Sequence, residues 1–137
     1  MPAARLDDQL CFALYAASSH LTKLYRPLLD PLGITYPQFV VLMALWERDG
    51  VAIRDIVERT GLSKATMTPL LKRLEEKDLI TLVRVENDER QKRVSLTKAG
   101  RSLSRASGRI TEQAFCATGL SRSEAKKLMD LCHRMTM

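Results

Sequence analysis

The chain is poor in what metal and catalytic sites are usually built from. In 137 residues it has two histidines and three cysteines. Cys11, Cys116 and Cys132 lie far apart, no CxxC pair occurs, and His20 and His133 are not spaced to share a zinc ion with them. A metal site, a resident cofactor and a disulfide scaffold are therefore not expected. Long apolar runs are also missing: FVVLMALW is too short to cross a bilayer, and MPAARLDDQL has no signal-peptide core. The expectation is a cytoplasmic protein that does not enter a membrane. Internal repeats and low-complexity segments are absent.

What is present is ordinary for a globular domain, 45% hydrophobic and 28% charged. The length fits one domain spanning residues 1–137, large enough to bury a core. The formal charge is +6 and the isoelectric point about 9.5. That balance favours a polyanionic partner, nucleic acid first and an acidic membrane surface second.

Between about Ala52 and Thr97 the pattern changes quickly. IRDIVERTG reads as a short helix closed by Gly61. Ser63 then opens a second helix with apolar residues at Met67, Leu70, Leu71 and Leu74, and Leu79 follows in the same stripe. Two runs rich in Val, Thr and Leu follow, separated by a polar loop with Asn87 and Asp88, which is a hairpin signal. Helix, turn, helix and hairpin make a winged helix-turn-helix, with the second helix suited to a major groove and the hairpin to flanking backbone or minor groove.

Elements flank this unit on both sides. Asp7 and Asp8 can cap a first helix running to about Asp30, with Leu10, Leu14, Ala17, Leu21, Leu24 and Leu28 on one stripe. Cys11, Tyr15, Ser18, Thr22 and Tyr25 form a second stripe beside it. Thr35, Pro37 and Gln38 are a capping box before a helix that is apolar on nearly every side, hence buried. After Thr97 one long helix is expected to about Ala117, and Ser121 with Glu124 opens a last helix through about Met135. The fold class is mainly α with a small β wing. Residues 35–97 form the DNA-binding part, and residues 1–34 and 98–137 the helical material of a dimer interface.

In the DNA-binding part, Ser63 can cap its helix, and Lys64, Ala65, Thr66 and Thr68, with Pro69 just after, are short enough to bring the helix start close to base edges. Lys72 and Arg73 follow where a phosphate would lie. In the wing, Arg84, Asp88, Arg90, Lys92 and Arg93 crowd together. Asp88 can hold Arg90 in one rotamer, directed at a minor groove. The blander alternatives are a solvated helix face and an exposed ion pair worth about 0–1 kcal/mol. The three cysteines, judged by residue type alone, are small buried hydrophobes.

LSKATMTPLLKRLEEKDLI at Leu62–Ile80, DER at Asp88–Arg90 and SLTKAG at Ser95–Gly100 together resemble the MarR family of dimeric winged-helix repressors. LDDQLCFALYAASSHLTKLYRPLLDPLGITYPQFVVLMALWE, Leu6–Glu47, is similar to the organic-hydroperoxide-sensing branch (OhrR type) of that family. The resemblance spans nearly the whole chain. It implies a homodimer on a pseudo-palindromic double-stranded operator. It also implies that Cys11 is the peroxide-sensing thiol, that Tyr15 and Tyr25 hydrogen-bond its thiolate, and that Cys116 in EQAFCA is the resolving thiol of the other subunit.

The residues themselves suit these roles. A thiolate is the reactive form, and phenol donors stabilise it. Tyr25 is about 20 Å from Cys11 by helical rise, so it reaches such a cysteine only on a second chain. Cys132 matches no motif and is expected to be a buried small hydrophobe. One departure concerns the helix start: Gly61-Leu62-Ser63-Lys64 lacks the aspartate usual before the capping serine and puts a lysine after it. The family's operator sequence therefore does not carry over. Two other inputs or activities compete with this reading: a MarR-type repressor released by a small phenolic ligand, and a thiol peroxidase. The absence of a thioredoxin-type βαβ pattern and of CxxC counts against the enzyme.

Overall fold

The computed structural model describes residues 2–85 and 88–136, with the side chains of residues 88–91 left aside. The chain forms α1 (Leu10–Leu29), α2 (Tyr36–Glu47), β1 (Val51–Ala52), α3 (Ile53–Thr60), α4 (Lys64–Glu76), β2 (Ile80–Val85), β3 (Asp88–Leu96), α5 (Lys98–Ser102), α6 (Ser104–Ala117) and α7 (Arg122–Thr136). It divides into two compact units, Leu29–Gly108 and the pair of terminal segments Met1–Leu28 with Arg109–Met137. Among the described residues no single helix is long and apolar enough to cross a membrane.

The central unit is a winged helix-turn-helix. Helix α2 is its spine, as its sequence requires: Phe39, Val41, Leu42 and Leu45 are all sealed from water. The expected capping box opens it, with Gln38 N donating to Thr35 Oγ1 at 3.4 Å and Thr35 N donating to Gln38 Oε1 at 3.0 Å. Helix α3 ends on Gly61, whose φ of 74° is the left-handed cap that glycine adopts without strain. Helix α4 buries Met67, Leu70, Leu71 and Leu74, the stripe its spacing predicts. Strands β2 and β3 pair antiparallel, with a register shift between Arg84 and Val85.

Several elements differ from expectation. Strand β1 is new. Val51 pairs with Val94 and Ala52 with Arg93, giving a three-stranded sheet of order β1-β3-β2. Helix α1 is preceded by a 3-10 turn at Leu6–Asp8, so Asp7 and Asp8 sit in that turn and Gln9, not an aspartate, accepts the bond from Ala13 N. The long helix expected after Thr97 is broken at Leu103 into α5 and α6. Thr97 does cap α5, accepting from Gly100 N at 3.0 Å. Gly100 then lies so close to the turn before β2 that an added Cβ would fall 2.1 Å from Leu79 O. Trp46 Nε1 donates to Gly100 O at 3.0 Å, locking α5 to the spine.

The terminal unit is different in character. Its only fully buried apolar residues among those described are Ile110 and Ala114, and α7 buries none. Leu10, Tyr15, Met129, Leu131 and Met135 are all more than half exposed. The expected Ser121–Glu124 box opens α7, with Glu124 N on Ser121 Oγ at 3.1 Å and Ser121 N on Glu124 Oε1 at 2.8 Å. These bonds to Ser121 hold the Glu124 carboxyl below its ordinary titration range. Arg122 ties α7 back to α6, pairing with Glu112 and stacking 4.9 Å over the Phe115 ring.

Candidate nucleic-acid interface and thiol sites

The start of α4 is held by a side-chain clasp. Ser63 Oγ accepts from Thr66 N at 3.1 Å and donates to Thr66 Oγ1 at 2.9 Å. Thr68 Oγ1 donates to Lys64 O at 3.2 Å. With one face sunk in the core, the other turns outward: Lys64, Ala65, Thr66, Thr68, Pro69, Lys72 and Arg73 are all exposed. The structure thus brings the sequence candidates together on one surface of one helix. Pro69 falls inside that helix and has no amide hydrogen, so Ala65 O is freed from the helical ladder at the outward face.

The far end of α4 is also fixed. Lys77 donates both to Gly33 O and to Gln38 Oε1, the latter at 3.0 Å. Gln38 is the one buried polar side chain among the described residues, and its carbonyl serves the α2 cap and Lys77 at once.

In the wing, Arg84 stands directly across from Lys92. Like charges opposed on a sheet destabilise it, so this pair suits a polyanion more than an isolated hairpin. Arg84 is exposed and Lys92 half-buried. Arg93 points elsewhere: its Nη1 donates to Gly50 O at 2.8 Å, bracing the turn into β1. Asp88 and Arg90 are placed in β3, but their side chains, and the Asp88–Arg90 contact expected of them, lie outside the described residues. Sequence reasoning missed Arg54, in the first turn of α3, which lines a hollow with Lys64, Thr68 and Lys92.

The three thiols are not buried hydrophobes. Cys11 and Cys116 are exposed and Cys132 is half-buried. Because α1 begins at Leu10, Cys11 is its second residue, one place nearer the helix start than an Asp8 cap would put it. Tyr15 follows one turn on and is 70% exposed; Tyr25 is half-buried three turns further along the same continuous helix. Cys116 occupies the last turn of α6, where its carbonyl accepts from Gly119 N at 3.3 Å. Cys132 lines a hollow with Leu10, Leu14, Leu128, Leu131 and Met135. Arg134 lines the same hollow. Among the described residues no cluster of three His, Cys, Asp or Glu side chains exists that would hold a metal ion.

A family model described as transcriptional regulator SarA/Rot matches residues 23–106. The organic hydroperoxide resistance transcriptional regulator of Bacillus subtilis is 42% identical over 127 residues, 93% of this chain and 84% of that one. The chain belongs to the MarR/SarA family of winged-helix transcriptional regulators.

Solved structures of MarR/SarA relatives agree. Reduced AbfR of Staphylococcus epidermidis bound to DNA superposes with a TM-score of 0.79 at 32% identity, covering 96% of this chain and 91% of that one. The disulfide form of AbfR gives 0.67 at 31% identity, covering 97% and 93%. Bordetella bronchiseptica BpsR, whose DNA binding is regulated by 6-hydroxynicotinic acid, gives 0.87 at 26% identity, covering 98% of each chain. As a MarR/SarA member this regulator binds DNA and is not an enzyme. Its helix-turn-helix is α3 with α4, and its wing is β2 with β3.

Proposed function

We propose that this regulator is a homodimeric repressor that holds a pseudo-palindromic operator while Cys11 is reduced and releases it when an organic hydroperoxide oxidises Cys11. The observation that carries the reading is an exposed Cys11 in the first turn of α1. Cys116, also exposed, sits in the last turn of α6. Cys11 is proposed as the attacking thiol and Cys116 as the resolving one.

In this scheme the Cys11 thiolate attacks the outer oxygen of ROOH. The O–O bond breaks, the alkoxide takes a proton and leaves as alcohol, and Cys11 becomes a sulfenic acid. The Cys116 thiol of the other subunit then displaces water to form the disulfide. The bond needs sulfurs about 2 Å apart. Drawing two helices to that distance shifts the two copies of α4 away from the one-turn spacing of their half-sites.

The proposed division of labour is residues 35–97 for DNA and residues 1–34 with 98–137 for dimerisation. The dimer reading is supported by the exposed apolar surface of the terminal unit, where each large side chain covered by a partner contributes up to about 1.5–3 kcal/mol. It is also what Tyr25 requires, since a rigid α1 keeps that phenol about 20 Å from its own Cys11. Ser63 is proposed as the cap of α4, Lys64, Ala65, Thr66, Thr68 and Pro69 as its major-groove set, Lys72 and Arg73 on phosphate, with Arg84 and Lys92 on backbone, and Asp88 and Arg90 at the wing tip. Arg93 is proposed to act by bracing the wing.

The test treats the protein with cumene hydroperoxide and follows a non-reducing gel beside an operator-binding assay. Wild type should form a disulfide-linked dimer and release DNA, and Cys11→Ser should do neither. DNA release from oxidised Cys11→Ser would end the redox reading. Release of Cys11→Ser by a salicylate-like compound would replace it with a ligand-controlled repressor.

A further inference from the structure

We propose that the hollow between α3, the start of α4 and strand β3 seats one backbone phosphate of the bound DNA, and that Arg54 grips it. The inference rests on the DNA-binding reading of α4 and the wing, and adds a site and a residue to it.

The hollow has a volume of about 250 Å³ and is lined by Ala52, Ile53, Arg54, Val57, Lys64, Thr68 and Lys92. Three of these are cations from three different elements, one is a hydroxyl, and none is an acid. That composition is not general to the surface. The neighbouring hollow beneath α2 contains Glu47, Asp55 and Glu58 beside its two arginines. The floor, from Ala52, Ile53 and Val57, is apolar, which lowers the local dielectric and strengthens attraction between the cations and an anion.

Placement decides the ligand. With α4 in a major groove and the wing in the adjacent minor groove, the sugar-phosphate strand separating the two grooves must pass between them. On this molecule that strip of surface is the hollow. Sheet register puts Lys92 there: Val94 is buried against the core, and residues alternate along β3, so Lys92 shares the inward side while Arg93 goes to Gly50 O. Pairing of Ala52 with Arg93 brings the start of α3, and Arg54 with it, beside the wing. Arg54 offers a planar fork that matches two phosphate oxygens, where Lys64 and Lys92 supply point charges.

The experiment uses the reduced full-length protein and mixed-sequence duplex DNA, because a phosphate contact carries no sequence preference. The dissociation constant is measured against KCl concentration. Arg54→Ala should weaken binding about ten-fold and lower the slope of log K against log salt by about 0.9 for each copy on the duplex. Arg54→Lys should restore most of the slope and only part of the affinity. Arg59→Ala removes the same charge from an arginine already paired with Glu47, and should leave the slope nearly unchanged. Equal slopes for Arg54→Ala and wild type, or equal losses in the Arg54 and Arg59 variants, would overturn the proposal. A wild type without salt-dependent DNA binding would instead overturn the DNA reading beneath it. Thermal unfolding of each variant confirms that the compared proteins are folded.

Discussion

Lys77 Nζ lies 3.0 Å from Gln38 Oε1, so the residue that caps the C-terminal end of α4 is fastened to the first turn of the spine helix α2. The same oxygen accepts from Thr35 N. Gln38→Ala should therefore remove the return half of the α2 capping box and the α4 anchor together, costing about 1–3 kcal/mol in urea unfolding, while Thr35 Oγ1 still accepts from the backbone N of residue 38. Lys77→Met, which leaves the cap intact, should cost about 1 kcal/mol or less, since Lys77 is exposed. Equal losses would show that the carbonyl is not shared in solution.

The clasp at Ser63 links stability to reading. Ser63→Ala should destabilise the fold by about 1 kcal/mol and weaken operator binding, because the first turn of α4, proposed to meet the bases, frays. Ser63→Asp should hold the cap but repel phosphate. Unfolding curves and binding curves measured on both variants separate the two effects.

Arg84 and Lys92 face each other across the hairpin. Lys92→Glu turns that repulsion into attraction and should stabilise the wing by about 0.2–1 kcal/mol, while DNA affinity falls steeply. Calorimetry and gel shift should thus move in opposite directions.

Asp78 adopts φ 62°, the left-handed region, at the turn from α4 into β2. Aspartate tolerates that conformation and a β-branched residue does not. Asp78→Gly should be neutral or gain up to about 1 kcal/mol, and Asp78→Val should lose about 1–2 kcal/mol, by thermal unfolding.

Helix α7 should respond to acid through its cap. The Glu124 carboxyl titrates below its ordinary value because its ionised form accepts from Ser121. Its contribution is therefore fully present above the ordinary value of 4.5 and is lost as pH falls through the lowered one. Hydrogen exchange at the start of α7 should accelerate across that acid window. Glu124→Gln should flatten the dependence while keeping an acceptor for Ser121 N.

Much of this was legible because it is local. The Thr35–Gln38 and Ser121–Glu124 boxes are four-residue signals, and the buried stripe of α4 repeats at helical spacing. The unread parts depend on distant chain. Strand β1 is two residues long and exists only because Val94 and Arg93 lie beside it. The break at Leu103 follows from α5 being pinned through Gly100 to Leu79 and Trp46, contacts that no local pattern encodes. Arg54 looked like one more surface cation because its neighbour Lys92 is brought in by that same short strand. The exposure of Cys11 and Cys116 ran against what residue type alone suggests.

The bond from Trp46 to Gly100 has a practical side. Trp46 is the chain's single tryptophan, and its ring nitrogen is engaged where α5 rests on α2. Intrinsic fluorescence therefore reports from one seam of the molecule. A peroxide titration that shifts the indole emission maximum would register α5 lifting from its seat, with no dye attached and no operator sequence known.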